Sequence, residues 1–263
     1  MMPPLVDTHC HLTNARFAAD VDAVIARARE AGLWRCQLIG TGLADARAAR
    51  ALVDRHPDLL ACAAGLDPFS CHEAGDGFDA ALAELETLLA AGGFQGLGEI
   101  GLEYHHQLLP HDVQIAQLER QLALARRLGL PAIIHVRDAH DDMLATLARH
   151  EGTRGVIHSY IGDAPTARRY LDLGWHLSFN GTLTFKANAF LREAAAIVPA
   201  DRLLIETDSP YLAPMPLRGQ RCEPGFVVHT LHLLAEVRGE RPEDVAAWTT
   251  RNACALFRLP LPW

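Results

Sequence analysis

The chain has 263 residues, of which 49% are hydrophobic and 21% are charged, a composition typical of a folded globular protein rather than a disordered or fibrous one. Its 24 basic and 32 acidic residues give a formal net charge of −8, so the surface as a whole repels nucleic acid, and any phosphate-binding site must be local. The N-terminus lacks a basic and apolar leader and no run is apolar enough to span a membrane, which predicts a cytoplasmic protein.

Short β-rich segments alternate with longer helical segments along the whole chain. In chain order, the predicted strands are Pro4–Thr8, Arg35–Gly40, Leu59–Leu66, Gly96–Ile100, Pro131–Val136, Gly155–His158, Trp175–Phe179 and Leu203–Thr207. The predicted helices include Asp20–Ala31, Phe78–Ala91, Asp112–Leu128, Asp141–Arg149, Ala164–Leu173, Gly225–Val237 and Pro242–Phe257. No linker divides this alternation, which predicts an α/β fold, a (β/α)8 TIM barrel forming a single domain over residues 1–263. The last two helices are expected to close the outer ring of helices.

Polar residues alternate with other residues at the end of the first predicted strand. Asp7, His9 and His11 lie on one side of an extended segment, so two imidazoles share a face. Neutral imidazole is a good ligand for divalent transition metals, and its second nitrogen needs an acceptor, for which Asp7 is a candidate. Taken alone, this motif is equally compatible with a solvated polar strand end.

Four other predicted strands also end in residues of the type that binds metals. These residues are Glu99, His135, His158 and Asp208. A barrel gathers the C-terminal ends of its strands at one mouth, so we expect these side chains to meet His9 and His11 there. Four imidazoles and two carboxylates suffice for two divalent metal ions, with positions left open for water and substrate.

The charge of such a site favours an anionic substrate. Two divalent cations, the carboxylates of Glu99 and Asp208, and one bound hydroxide leave a small positive excess, which would disappear with a single cation. A phosphodiester oxygen could be held between the metals while hydroxide, formed because coordination lowers the pKa of water, attacks phosphorus in line. The sole lysine, Lys186, follows the seventh predicted strand, so Glu99 rather than a carboxylated lysine is expected to bridge the metals.

Two further side chains are expected beside the ligands. Arg137 follows His135 by two positions and shares its face, so it is a candidate to hold a phosphate, although an ion pair with Asp138 or another carboxylate at the rim is an equal alternative. Glu206 precedes Asp208 by two positions, and we expect it to orient a ligand histidine rather than to bind metal.

Two more arginines lie in the Pro- and Gly-containing loop after the eighth predicted strand. Arg218 and Arg221 are therefore at the same mouth of the barrel and are candidates to contact backbone phosphates. The alternative is that both are ordinary solvated loop arginines.

Several common sites can be excluded. Gly96, Gly98 and Gly101 match the letters of a dinucleotide-binding loop, but Glu99 stands where a pyrophosphate would bind and no helix opens there. Neither a phosphate-binding loop nor a serine-hydrolase elbow occurs. The six cysteines form no CxxC pair, so we expect reduced and mostly buried thiols.

A series of segments stands out along the chain: VDTHCHL, GEIGLEYHH, PAIIHVRDA, VIHSYIG, LSFNGTLTF, ETDSPYLAP and RGQRCEP. In this order, over nearly the whole chain, they resemble the TatD family of metal-dependent deoxyribonucleases. The resemblance implies an amidohydrolase-like barrel, two divalent metals and phosphodiester hydrolysis, often exonucleolytic on DNA. The metal positions that it implies are His9, His11, Glu99, His135, His158 and Asp208.

Two positions depart from the family pattern. The family usually has aspartate where this chain has Glu103, and asparagine where it has Cys222. Neither position is among the implied metal ligands. We expect both residues to lie on loops that contact the substrate.

The leading hypothesis is a metal-dependent deoxyribonuclease that cleaves phosphodiester bonds exonucleolytically. Asp208 would steer or deprotonate the attacking water, and Glu99 would space two divalent ions, which are Mg, Mn or Zn. We expect DNA as the substrate with single strands favoured, no membrane partner, and a monomer. The alternative is an ester or amide hydrolase such as a D-aminoacyl-tRNA deacylase, a role also assigned within the family. The complete ligand set and acidic net charge oppose a third hypothesis, a nucleic-acid-binding barrel without activity.

Overall fold

The structure, a computed structural model that describes residues 2–262, contains eight strands and ten α-helices that alternate along the chain. The strands are Leu5–Cys10 (β1), Leu33–Thr41 (β2), Leu60–Gly65 (β3), Gly96–Glu103 (β4), Ala132–Arg137 (β5), Gly155–Ile157 (β6), His176–Phe179 (β7) and Leu203–Ile205 (β8). The helices are Val21–Glu30 (α1), Leu43–Arg55 (α2), Pro68–Ala74 (α3), Phe78–Ala90 (α4), His111–Leu128 (α5), His140–Arg149 (α6), Ala164–Asp172 (α7), Ala189–Ile197 (α8), Val227–Arg238 (α9) and Pro242–Phe257 (α10).

All eight strands are parallel and pair in chain order from β1 to β8, which confirms the predicted TIM barrel. Each predicted strand overlaps an observed one. The strands are buried on both faces because helices cover the outside and packed side chains fill the inside. Three helices, α2, α3 and α8, were not among those named from the sequence.

Helix boundaries follow local sequence signals. Asp67 precedes α3, and its side chain accepts a hydrogen bond from the backbone N of Ser70, which satisfies a free amide of the first turn. Asp163 caps α7 in the same way through Thr166. Gly129 ends α5 with a left-handed φ of 65°, a conformation that glycine adopts without steric cost.

The barrel closes between β8 and β1 through the residues of the predicted metal site. The backbone N of Asp208 donates to the carbonyl of His9 at 2.9 Å, and the backbone N of His11 donates to the carbonyl of Ser209 at 2.7 Å. Strand β8 ends at Ile205, before the predicted end, because the chain beyond it pairs through these separate bonds rather than a regular ladder. This closure places the ligand-bearing ends of β1 and β8 side by side.

The C-terminal segment closes the opposite end of the barrel. Thr250 donates to the carbonyl of Pro4 at 2.7 Å, and the indole of Trp34 donates to the carbonyl of Pro260 at 3.0 Å, so this segment is tied to the beginnings of β1 and β2. It completes a buried apolar cluster inside the barrel that contains Val6, Ile39, Ala61, Ala63, Ile133, Val156, Leu204, Ala253, Cys254, Leu256, Phe257 and Leu259.

Glycines in β4 allow its neighbours to approach closely. A Cβ at Gly101 would overlap the carbonyl oxygen of His135, and a Cβ at Gly65 of β3 would lie 2.6 Å from the carbonyl oxygen of Glu99. The glycines that imitate a dinucleotide-binding motif therefore belong to a strand, and their role is to let the ligand-bearing strands pack together.

Two expectations from composition can be compared with the structure. All six cysteines are unpaired and buried, as predicted. Among residues 2–262, no helix combines the length and the apolar character needed to cross a bilayer.

Candidate metal centre

The six predicted metal ligands converge at the mouth formed by the C-terminal ends of the strands. Residues 9 and 11 lie at the end of β1, residue 99 in β4, residue 135 in β5, residue 158 directly after β6, and residue 208 after β8. In each of three groups the potential ligand atoms lie within 4.8 Å of one another: His9, His11 and Glu99; Glu99, His135 and His158; and His9, His158 and Glu206.

The carboxylate of Glu99 is shared by two of these groups, the one with His9 and His11 and the one with His135 and His158. Its Oε1 atom is 2.7 Å from Nδ1 of His135 and 3.0 Å from Nε2 of His158. Its Oε2 atom is 3.4 Å from Nε2 of His9. Each carboxylate oxygen therefore serves a different group, which is the arrangement that a bridging ligand requires.

The side of the cluster near β1 is completed by Asp208. Its Oδ1 atom lies 3.4 Å from Nε2 of His11 and 3.8 Å from Nε2 of His9. The two Nε2 atoms are 3.2 Å apart, and the ring of His9 stacks on that of His158 with centroids 3.9 Å apart. The two groups are thus in direct contact and form one compact site.

The electrostatics of the cluster favour bound positive charge. Burial raises the pKa of Glu99, but the charge of His158 and hydrogen bonds from the imidazoles hold it well below its usual value. Burial lowers the pKa of His135 and of His11, yet the carboxylates beside them raise these values to about 9 and about 8, respectively. Divalent cations can replace the protons that these imidazoles attract, and a mixed imidazole and carboxylate donor set suits such ions. The residues present therefore fit a metal site.

The carboxylate of Asp7 lies behind the cluster and does not contact a ligand imidazole. It accepts hydrogen bonds from the backbone N and Oγ1 of Thr207, at 2.9 and 2.6 Å, and from the backbone N of His9 at 3.2 Å. The prediction that Asp7 accepts from an imidazole is wrong, since Nδ1 of His9 has no hydrogen-bond partner among residues 2–262 and Nδ1 of His11 lies 3.2 Å from the carbonyl of Ile39. Asp7 instead holds the ends of β1 and β8 together.

Glu206 lies next to a ligand histidine, where it was predicted. Its Oε1 atom is 3.4 Å from Nδ1 of His158, without the alignment of a hydrogen bond, and accepts a hydrogen bond from the backbone N of Ser159 at 2.6 Å. The Glu206 side chain is fully buried. Its carboxyl group faces the outer edge of the His158 ring.

Glu103 lies at the end of a strand rather than in a loop, and it contacts a ligand histidine. It ends β4, is 1% exposed, and its Oε2 atom lies 3.2 Å from Nε2 of His135. Burial raises the pKa of Glu103, but His135 and His106 lower it to about 2. The expected loop position of Glu103 is therefore wrong. Cys222 does lie in a loop, but its expected contact with the substrate is wrong, because its side chain is fully buried and does not line the cavity.

The cluster opens onto a cavity of about 810 Å³. Its lining includes one arginine, at position 137, and the carboxylates of Asp45, Asp67, Glu99, Glu103, Asp138 and Asp208. These six negative charges and one positive charge sum to −5, which two divalent cations would reduce to −1. The small positive excess expected for the metal ligands alone therefore does not extend to the cavity as a whole, because four further carboxylates line it.

Arg137 lies at this cavity, and its predicted ion pair with Asp138 does not form. Its side chain is exposed and belongs to the cavity lining. The Oδ2 atom of Asp138 lies 3.3 Å from Nδ1 of His105 instead. The guanidinium of Arg137 is thus available to an anionic ligand.

The other two predicted arginines do not line the cavity. Arg221 donates to both carboxylate oxygens of Asp20, each at 2.7 Å, and to Glu223 at 2.9 Å, so its charge is already neutralised. The guanidinium of Arg218 lies over the ring of Phe185, 4.5 Å from its centroid. The prediction that Arg221 contacts a backbone phosphate is corrected accordingly, whereas Arg218 is exposed and stays a candidate outside the cavity lining.

Two large aromatic side chains that were not predicted from the sequence also line the cavity. Phe69 is in the first turn of α3, directly after β3, and Tyr211 follows Asp208 by three positions. Both are exposed, by 42% and 46%, respectively. The position of Tyr211 close to the predicted ligand Asp208 was a signal in the sequence, whereas Phe69 had no comparable signal.

Comparison with known proteins relates the whole chain to a family of hydrolases. A family model described as TatD related DNase matches residues 6–258. The chain is 36% identical over 258 residues to the uncharacterized metal-dependent hydrolase YabD of Bacillus subtilis, an alignment that covers 97% of this chain and 99% of the relative. It is 34% identical over 263 residues to the 3'-5' ssDNA/RNA exonuclease TatD of Erwinia billingiae, covering 97% of this chain and 100% of the relative. The crystal structure of YJJV, a TatD homologue from Escherichia coli K12, superposes with a TM-score of 0.92 at 30% identity, covering 99% of this chain and 100% of that one.

Proposed function

Since this chain belongs to the TatD related DNase family, we propose that it removes nucleotides from the free 3′ end of single-stranded DNA. It is a metal-dependent hydrolase. The observation that carries the proposal is the position of Glu99 between two groups of ligand atoms at the mouth of the barrel. The name of the Erwinia relative, a 3'-5' ssDNA/RNA exonuclease, supports a nucleic acid substrate and the direction of digestion, and favours this function over an aminoacyl-tRNA deacylase.

Two divalent cations, Mg, Mn or Zn, would be held by the six predicted ligands. His9, His11 and Asp208 would hold one, His135 and His158 the other, and Glu99 would contact both. When bound, such cations lower the pKa of water and offset the negative charge that develops on phosphate oxygens during hydrolysis.

Asp208 is placed to accept a proton from an attacking water. Burial raises the pKa of Asp208, but His11 and the neighbouring imidazoles lower it below its usual value, so the carboxylate is ionised at neutral pH. Its side chain is 14% exposed and lines the cavity, so water can reach it. Its left-handed φ of 60° is maintained by the backbone hydrogen bonds to β1, which fixes the direction of the carboxylate.

Arg137 and Glu206 have separate roles beside Asp208: one binds the substrate and the other positions a ligand histidine. Arg137 can bind a non-bridging oxygen of the substrate phosphate, because it is the one guanidinium in the cavity lining of the described residues. Glu206 lies against Nδ1 of His158 and is itself held by the hydrogen bond from the backbone N of Ser159, so it restricts the His158 ring from behind.

The decisive experiment follows the length of a 5′-labelled single-stranded DNA incubated with the protein and each of several divalent metals. We expect a ladder of products shortened stepwise from the 3′ end, with duplex DNA, circular single strands and aminoacyl-tRNA much less affected. No shortening with any divalent metal would refute the proposal, as would cutting of circular strands at the same rate.

Two matched variants identify the source of the activity. Asp208→Asn should lower the rate about 10²- to 10⁴-fold, the usual contribution of general acid or base groups. Asp138→Asn is the control, since Asp138 lines the same cavity and also has a left-handed φ, 56° against 60° for Asp208. Equal rates for wild type and Asp208→Asn would mean that a contaminant degrades the DNA.

A further inference from the structure

We propose that Phe69 and Tyr211 are stacking surfaces for unpaired nucleobases, one on each side of the metal centre. This inference rests on the proposed function and names how the strand is recognised. A nucleobase is a flat aromatic ring, and stacking on aromatic side chains tolerates any base sequence.

Both rings are unusually open for large aromatic side chains next to a polar cluster. Phe69 is 42% exposed and Tyr211 is 46% exposed, and both line the cavity into which the metal ligands point. Single exposed aromatics are common on protein surfaces, but two in one cavity give it flat apolar faces that water solvates poorly. The cavity therefore offers a place for flat ligands beside its charged centre.

The two rings lie next to opposite groups of the cluster. The Phe69 ring meets the His106 ring edge to face at 5.3 Å, and His106 contacts Glu103, the carboxylate beside His135. The Tyr211 ring lies 6.2 Å from that of His11, on the side of Asp208. A phosphodiester at the metal centre would thus have its two neighbouring bases within reach of different rings.

Local structure restricts the movement of both rings. The Tyr211 hydroxyl accepts a hydrogen bond from Nδ2 of Asn14 at 3.1 Å, and its backbone N donates to the carbonyl of Asp208 at 2.9 Å. Phe69 is held in the first turn of a helix that the side chain of Asp67 caps. The Tyr211 ring therefore has less conformational entropy to lose when a base stacks on it, and the backbone that carries Phe69 is fixed.

Because of the negative charge of the cavity, binding of a nucleic acid strand needs contacts other than those to its phosphates. Six carboxylates face one arginine in the lining, and even two divalent cations leave a formal charge of −1. Phosphates beyond the contact of the cations and of Arg137 therefore face a lining of net negative formal charge. Stacking supplies binding free energy that does not depend on charge, and it also selects single strands, because paired bases already stack on one another in a duplex.

The test measures stacking directly and does not depend on turnover. A single-stranded oligonucleotide with 2-aminopurine on both sides of a phosphorothioate linkage is titrated with the manganese-loaded protein, and both fluorescence quenching and the dissociation constant are recorded. Phe69→Ala and Tyr211→Ala should each remove quenching from one of the two positions and raise the dissociation constant about 5- to 150-fold.

Three controls separate stacking from loss of structure. Phe190→Ala removes another exposed aromatic, 38% exposed and outside the cavity lining, and should change neither quantity. Tyr211→Phe keeps the ring and should retain most of the quenching. Thermal melting of each variant in the presence of manganese verifies that it folds and binds metal.

An abasic substrate gives the independent kinetic readout. Removing the bases on both sides of the cleaved linkage should raise KM for the wild type, while Phe69→Ala and Tyr211→Ala should add little further increase on this substrate. Unchanged quenching, dissociation constant and KM in both variants would overturn the stacking inference and leave hydrolysis intact. Quenching without cleavage of any nucleic acid would instead refute the proposed function and support the stacking.

Discussion

The carboxylate of Glu103 lies 3.2 Å from Nε2 of His135, on the ring nitrogen opposite to the one that faces Glu99. A carboxylate in this position fixes the orientation of the imidazole and raises its basicity toward a metal. Glu103→Gln should therefore weaken divalent metal binding about 10- to 100-fold, measured by competition with a chelating dye.

The matched control for this variant is Glu84→Gln. Glu84 pairs with Arg47 on the exposed surface, and such pairs contribute little. If both glutamines leave metal affinity unchanged, Glu103 does not position His135. The melting temperature of each apo-protein, measured in parallel, distinguishes lost metal affinity from lost folding.

Metal removal should lower stability, because cations that bind only the folded chain shift unfolding by mass action. At free concentrations one hundred times the dissociation constant, each ion adds about 2.7 kcal/mol to the free energy of unfolding. We expect chelation to lower the melting temperature by roughly 5 to 10 °C for each ion lost. Metal analysis should give two ions per wild-type chain and about one for His135→Ala, and a melting curve indifferent to chelator would contradict both expectations.

Gly101→Ala should damage the metal centre through the backbone. Its new Cβ would overlap the carbonyl oxygen of His135, so β4 and β5 must separate at the ligand itself. We expect a loss of stability of about 1 to 3 kcal/mol in urea unfolding together with weaker metal binding. Gly77→Ala is the control, because a Cβ there meets open space and φ is −82°. Equal stability of the two variants would show that β4 and β5 can separate at no cost.

Substitution of Arg137 should affect substrate binding, whereas substitution of Arg221 should affect stability. Arg137→Ala removes the guanidinium that lines the cavity and should raise KM for single-stranded DNA about tenfold, with little effect on melting. Arg221→Ala breaks the ion pairs with Asp20 and Glu223 and should lower the melting temperature by about 2 to 4 °C with KM unchanged. A rise in KM for Arg221→Ala alone would restore its role in substrate binding.

The six potential ligands could be predicted because their positions follow from topology. His9 and Asp208 are far apart in sequence, but any two residues at the C-terminal ends of barrel strands meet at the same mouth. The identity of these side chains and the strand boundaries, even with errors of a few residues, were enough to bring them together.

The contacts around the ligands could not be predicted in the same way. Arg221 pairs with Asp20 across 201 positions, and the choice between this partner and a phosphate depends on the path of two irregular loops. Glu103 follows Glu99 by four residues on the same strand, so both side chains face the barrel interior, a pattern that was available in the sequence. Phe69 became recognisable only once the loops after β3 and β4 were seen side by side.

The two backbone hydrogen bonds that close the barrel, from Asp208 to His9 and from His11 to Ser209, belong to the same few residues that carry the ligands. Stability and metal binding are consequently coupled where β1 meets the segment after β8: a substitution that weakens these hydrogen bonds would lower both. Variation that alters substrate preference while sparing the fold is therefore restricted to the other loops of the mouth, and laboratory selection for new substrates should accumulate changes around residues 69 and 161 and leave residues 206–209 untouched.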